Sequence, residues 1–223
     1  MPNSSYDFAS LNGQTVTFDA ATDTLTFGVG LSAAQLKLTQ GPGTGANATV
    51  IVTIGAITVT LKGITIEALR ANALSFADGS VALIGDLTAN TFPDGSANIH
   101  NGGAGNDYLS GLGGDDVLNG GGGHDTIITG SGNDTVNAGA GDDLIEMGSQ
   151  LLANDRIDGG TGFDTLKLDG LAGGSVSFVD GTVKNIEQIE LAGDAAGNRA
   201  YNFTTHETTV AAGEALAVDA SAL

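Results

Sequence analysis

GGAGNDYLS GLGGDDVLN GGGGHDTII TGSGNDTVN AGAGDDLIE, residues 102–146, is a run of five nine-residue units in tandem. In this alignment the sixth position is always Asp: Asp107, Asp116, Asp125, Asp134 and Asp143. The eighth is always aliphatic: Leu109, Leu118, Ile127, Val136 and Ile145. A carboxylate and a core residue returning in one fixed phase describe a metal-binding solenoid rather than a random polar tract.

The phase extends beyond the run. After 147–152 it resumes three residues late, with Asp155 sixth and Ile157 eighth. GGTGFDTLK at 159–167 follows, with Asp164 and Leu166 in the same places. A degenerate unit precedes the run, with Asn98 sixth and His100 eighth. The chain therefore holds seven Asp-bearing units and one entry half-unit.

Each position has a physical task. Glycines at the first, second and fourth positions accept φ > 0 and remove Cβ crowding, so the chain can turn tightly. The Asp supplies a hard anionic oxygen, and the aliphatic residue lies on a short strand facing the core. One unit is half a coil, loop then strand, and two units close one turn. Alternate units then share an edge. Asp107, Asp125 and Asp143 are expected on one edge, Asp116 and Asp134 on the other, and the insertion leaves Asp155 and Asp164 unassigned. Coils stack about 4.8 Å apart, so neighbouring carboxylates repel unless a cation lies between them. Calcium accepts six to eight oxygens, about as many as Asp groups and loop carbonyls can offer, whereas magnesium prefers a rigid, water-rich octahedron. Zinc prefers His or Cys, and neither recurs in phase.

This pattern is the repeat GGxGxDxUx, with U aliphatic. Over 98–168 the chain resembles the RTX family of hemolysin-type calcium-binding repeats. The resemblance implies an all-β, right-handed parallel β-roll holding several Ca²⁺ ions between loops along both edges. It also implies the type I secretion machinery as a partner, calcium-triggered folding outside the cell, and a secreted or surface bacterial location. The ligands it implies are the side chains of Asn98, Asp107, Asp116, Asp125, Asp134, Asp143, Asp155 and Asp164. Loop carbonyls join them from Gly103, Gly105, Gly114, Gly121, Gly123, Gly130, Gly132, Gly139, Gly141, Gly160 and Gly162. Departures from the pattern are mild at Leu112, Thr129 and Ala138. They are larger in the unit ending at Asp158, which has lost its glycines. The fifth-position residues Asn106, Asp115, His124, Asn133 and Asp142 are expected to face solvent or brace the loop.

Composition agrees with a cation site. The net charge is −19, from 26 acidic and 7 basic residues. Residues 94–169 hold 13 acidic and 2 basic side chains, a balance of −11. Such a surface repels nucleic acid and anionic membranes and attracts cations. Without cysteine there is neither a disulfide nor a thiolate site. No apolar run approaches the roughly 20 residues of a membrane span. MPNSSYDFAS lacks a basic, apolar leader, so no Sec-type signal is expected.

The flanks read as β. Residues 1–92 are expected to form a β-rich domain or cap, with strands at 16–18, 24–27, 36–39, 49–54, 57–61 and 80–84. A turn or two of helix is expected at 64–72. The roll is expected over 93–169. Residues 170–223 are expected to be a β-rich cap, with strands at 175–179, 186–191 and 201–204, carrying a secretion signal or opening a further module. No catalytic constellation emerges: His206-Glu207 lacks the second His of HExxH, and GxSxG and GK[ST] are absent. The expected function is a non-catalytic, calcium-dependent folding and stabilising segment. The alternatives are an adhesin or surface-layer piece that self-assembles or binds a partner through its flanks, and the tail of a secreted enzyme.

Overall fold

The computed structural model describes residues 4–19, 21–69, 74–84, 95–147, 151, 154–169, 175–177, 182–192, 202–204 and 217–222. Two parallel sheets form the roll. The long face stacks Ala82–Ile84, Tyr108–Ser110, Thr126–Ile128, Leu144–Met147, Thr165–Asp169, Gln188–Ala192 and Ala217–Ala222 in that order. The short face stacks Ile99–Gly103, Val117–Gly122, Thr135–Ala140, Arg156–Thr161 and Val183–Lys184. The chain alternates between faces from Ala82 to Asp169, so each strand pairs with the one a full turn away. After Ser175–Ser177, which pairs with Asn202–Thr204 in a separate parallel sheet, it adds Val183–Lys184 to the short face and Gln188–Ala192 to the long one.

Strand register gives the length of a turn. Leu109 lies beside Ile127 and Ile127 beside Ile145, steps of 18 residues. Ile145 lies beside Leu166, a step of 21, and Val136 beside Ile157, also 21. One three-residue insertion thus lengthens one coil and leaves the stacking intact. The eighth-position residues stack in the interior: Leu109, Leu118, Ile127, Ile145 and Leu166 are 0% exposed. His100 lies beside Leu118 and occupies the same core position one coil earlier.

The stacking runs through the ends expected for the roll. Ala82–Ile84 pairs with Tyr108–Ser110, and Gln188–Ala192 pairs with Thr165–Asp169. Both neighbours of the repeats are thus hydrogen-bonded coils of the long face.

The N-terminal part is strand-rich, as expected. Ser5–Asp7, Thr24–Phe27 and Leu74–Phe76 form a parallel sheet, and Thr15–Thr17, Ile57–Lys62, Thr49–Ile54 and Lys37–Gln40 a mixed one. In place of the helix expected at 64–72 there is a single 3-10 turn at Ile66–Ala68, and 70–73 lie outside the described residues. Its aliphatic core holds an aromatic stack: Phe8 packs on Phe27 at 4.6 Å and Phe27 stacks on Phe76 at 4.3 Å between ring centroids. Ala82, Ile84 and Tyr108 belong to the same apolar cluster, so this core continues into the first coils. Hydrogen bonds fasten the junction. Ala33 N–H donates to Ser80 Oγ at 2.8 Å, Ala34 N–H to the Asn106 carbonyl at 3.1 Å, and Thr126 Oγ1 to the Ala34 carbonyl at 2.9 Å.

Candidate metal centre

Loops at 102–107, 120–125, 138–143 and 159–164 lead into the long face and make the first edge. Those at 95–98, 111–116, 129–134 and 154–155 lead into the short face and make the second. The carboxylates form one ladder on each. On the first edge Asp107 N–H donates to Asp125 Oδ1, Asp125 N–H to Asp143 Oδ1, both at 2.8 Å, and Asp143 N–H to Asp164 Oδ1 at 2.9 Å. On the second, Asn98 N–H donates to Asp116 Oδ1 at 2.8 Å, Asp116 N–H to Asp134 Oδ1 at 3.0 Å, and Asp134 N–H to Asp155 Oδ1 at 2.9 Å. The two residues left unassigned by the insertion therefore separate, Asp164 to the first edge and Asp155 to the second. Asn98 heads the second ladder, and its side-chain amide donates to the Ser96 carbonyl at 2.8 Å.

All seven Asp side chains are buried, at most 2% exposed. With Oδ1 engaged on the neighbouring coil, the Oδ2 atoms of Asp107, Asp125, Asp143 and Asp164 are buried without a hydrogen-bond partner. An unsatisfied buried polar atom costs about 1–3 kcal/mol, more when charged. Four on one edge mark a place for a positive charge.

Backbone oxygens meet these carboxylates. A Cβ on Gly102 would collide with Asp107 Oδ2 and with the Gly120 carbonyl oxygen of the next coil. Gly120 is flanked in the same way by Asp125 Oδ2 and the Ala138 oxygen, and Gly159 by Asp164 Oδ2 and the Asn185 oxygen. On the second edge Asp116 Oδ2 and the Thr129 oxygen flank Gly111. The first-position glycine thus leaves room for two oxygens from adjacent coils to converge. Among the described residues no three His, Asp or Glu side chains cluster as a metal site, so each candidate position must draw on carbonyls as well.

Second- and fourth-position residues line the outer loops in rows. The carbonyls of Gly103, Gly121 and Gly139 face the glycine one coil on, as do those of Gly105, Gly123 and Gly141. On the second edge Gly114 faces Gly132. Gly130, Gly132, Gly160 and Gly162 hold equivalent places with left-handed φ. The all-oxygen donor set fits a hard cation such as Ca²⁺.

Fifth-position residues brace the loops. His124 N–H donates to Asn106 Oδ1 at 2.8 Å, Asp142 N–H to His124 Nδ1 at 2.9 Å, and Phe163 N–H to Asp142 Oδ1 at 2.9 Å. These links run opposite to the Asp ladder: each fifth side chain accepts from the following coil, each sixth from the preceding one. A groove of about 500 Å³ between Ala33–Gln35 and the first edge is lined by Asn106, His124, Asp125, Asp142 and Asp143.

Burial governs the acidity of the ladder. It pushes Asp125, Asp134 and Asp164 up to about 6 and Asp143 up to about 7, against the pull of their backbone hydrogen bonds. Asp107 is raised by burial as well. Adjacent carboxylates add to the rise, as Asp125 and Asp164 do for Asp143.

The first ladder runs past the residues singled out from sequence. Val81 N–H donates to Asp107 Oδ1, and Asp164 N–H to Glu187 Oε2, both at 2.8 Å. Glu187 is 5% exposed. A signal for it existed: Glu187-Gln188-Ile189 keeps the acid–x–aliphatic part of the motif, as Asp164-Thr165-Leu166 does, without the glycines.

Comparison with known proteins agrees with the geometry. The chain matches the family described as RTX calcium-binding nonapeptide repeat, in four copies over 94–127, 120–149 and 152–170. No curated protein and no solved structure matches.

Proposed function

From the RTX calcium-binding nonapeptide repeats that this chain carries at 94–170, we propose that it is a non-catalytic scaffold that folds on meeting extracellular calcium. The observation behind this reading is the row of buried, unpartnered Oδ2 atoms at Asp107, Asp125, Asp143 and Asp164. The ligands are the Asp side chains of both ladders with the loop carbonyls of their second- and fourth-position glycines, and Asn98 completes the entry coil. Calcium supplies the charge that lets stacked carboxylates stay ionised inside the roll. The chain supplies the rest: glycine turns bring carbonyls close, and the Oδ1 hydrogen bonds fix each carboxylate's direction.

The energetic logic follows. A glycine-rich, acidic segment loses much conformational entropy on ordering. Ion binding to the ordered form becomes folding free energy. Extracellular calcium modules bind at about 10⁻⁴–10⁻³ M, which leaves them empty in a calcium-poor cytosol. An unfolded passage through a type I exporter and folding outside the cell fit that range. In this reading 1–92 and 170–223 are β-rich caps on the repeats over 93–169, joined to them through Ala82–Ile84 and Gln188–Ala192, which continue the stack, since the terminal coil of a solenoid exposes core.

A far-UV circular dichroism titration tests the proposal. Chelated protein should show strongly reduced β signal that millimolar calcium restores and magnesium at the same concentration does not. A spectrum indifferent to chelation and to calcium would overturn it.

A further inference from the structure

Beyond the repeats, at the C-terminal end of the first edge, the coil 182–192 meets Asp164. Its loop is short: Lys184 lies beside Asp158 and Gln188 beside Thr165, so Asn185, Ile186 and Glu187 span what six residues span in the coil before. Three features of the repeat loops survive in it. The Asn185 carbonyl faces Gly159 together with Asp164 Oδ2, the same oxygen pair that faces Gly102 and Gly120. Asp164 Oδ2 is fully buried and has no hydrogen-bond partner. Glu187 Oε2 accepts from Asp164 N–H at 2.8 Å, the bond that every ladder Asp makes to the coil before it.

Asn185 bends the chain for this purpose. It has φ +53°, one of two non-glycine residues in the left-handed region among those described. Asn tolerates that region better than other L-residues. Its side chain is anchored, with Nδ2 donating to Asp158 Oδ1 at 2.7 Å. The turn that directs its carbonyl toward Gly159, beside Asp164 Oδ2, is therefore anchored to the preceding coil.

We propose that Asp164, the Asn185 carbonyl and Glu187 form an additional divalent-cation site, in a coil that has lost the GGxGxD loop. This rests on the ladder being a calcium edge, and it extends that edge by one position. The longer Glu side chain replaces Asp because the loop before it is three residues shorter. Asp164 and Glu187 are two buried carboxylates at adjacent coils, with no cationic side chain bonded to either among the described residues, and such a pair needs a positive charge, as the pairs within the repeats do. The missing second- and fourth-position glycines leave fewer backbone oxygens here, so this position should bind more weakly than those inside the run and fill last.

Ion counting on the full chain tests it. Glu187→Gln keeps an oxygen that can accept from Asp164 N–H and removes the charge. Native mass spectrometry at saturating calcium should show one ion fewer per chain than the unsubstituted protein, with the β signal in calcium unchanged. Glu187→Asp, which restores the charge on a shorter arm, should recover that ion at higher calcium. An unchanged count in Glu187→Gln, or loss of its fold at every calcium concentration, would overturn the proposal and leave Glu187 as a terminal hydrogen-bond cap. If the unsubstituted protein binds no calcium, the broader reading of the edge fails first.

Discussion

At the residue scale, the stacking requires glycine at some positions of the repeat and not at others. Gly132 has φ +139°, and a Cβ there would strike the Gly114 carbonyl of the preceding coil. Gly122, at the third position, has ordinary φ and open space around it. Gly132→Ala should therefore destabilise the calcium-bound fold by about 1–3 kcal/mol, the usual cost of forced left-handed backbone. Gly122→Ala should change it by less than about 1 kcal/mol, since the strand loses only glycine's extra freedom in the unfolded chain. Thermal melts in saturating calcium would separate the two. Equal losses would mean that the loops are not held as closely as the stacking requires. The nonapeptide consensus shows glycine at some positions; only the stacked coils show which of them press against a neighbour.

At the scale of the element, burial within the two ladders couples their stability to pH. Asp107, Asp125, Asp134, Asp143 and Asp164 have folded-state pKa values above the ordinary 3.8, with Asp125, Asp134 and Asp164 at about 6 and Asp143 at about 7. The metal-free fold therefore binds more protons than the unfolded chain between about pH 4 and 7. Stability falls with rising pH wherever the native state holds the extra protons. The metal-free roll should be most stable near or below pH 4 and lose that stability as pH rises through 6 to 7. Calcium binding needs the same groups ionised, so its affinity should climb over the same window. The far-UV β signal of metal-stripped protein between pH 4 and 8, with calcium titrations at each pH, checks both slopes. A metal-free β signal that rises from pH 5 to 7 would contradict the burial of the ladder. Outside the ladder, opposite charges also stack in register. Lys167 Nζ lies 3.0 Å from Glu146 and Lys184 Nζ 2.8 Å from Asp158. Being partly exposed, such pairs contribute only about 0–1 kcal/mol each.

For the whole molecule, the proposed function predicts that the two apolar clusters respond differently to calcium. The N-terminal cluster around Phe8, Phe27 and Phe76 contains no ladder carboxylate, whereas the second, from Leu109 to Leu191, lies between the two ladders. Chelation should open the roll and leave the aromatic core largely intact. Trypsin then offers a direct reading, because Arg156 and Lys167 lie on strands of the roll while Lys37 and Lys62 lie on the N-terminal mixed sheet. Cleavage at Arg156 and Lys167 should accelerate by at least an order of magnitude in chelator, since it tracks the population of open chain. Cleavage at Lys37 and Lys62 should change little. Uniform acceleration at all four would show one cooperative unit instead.

Sequence by itself determined the roll, its nine-residue half-turn, the interior row of aliphatics and the ladder of Asp. These are local and repeated, so a single phase of carboxylate, glycine and apolar residue states them many times over. It also set the first three Asp of one edge against the first two of the other. Tertiary structure alone decided the rest. It returned Asp164 and Asp155 to their edges, because a three-residue insertion can be absorbed within one coil while the strands stay in register. It brought Ala33–Gln35 against the first edge and made Ala82–Ile84 a coil of the long face, through contacts with no sequence period. And it recruited Glu187, whose loop lost the glycine pattern, because a backbone N–H at the end of a buried ladder still requires an acceptor.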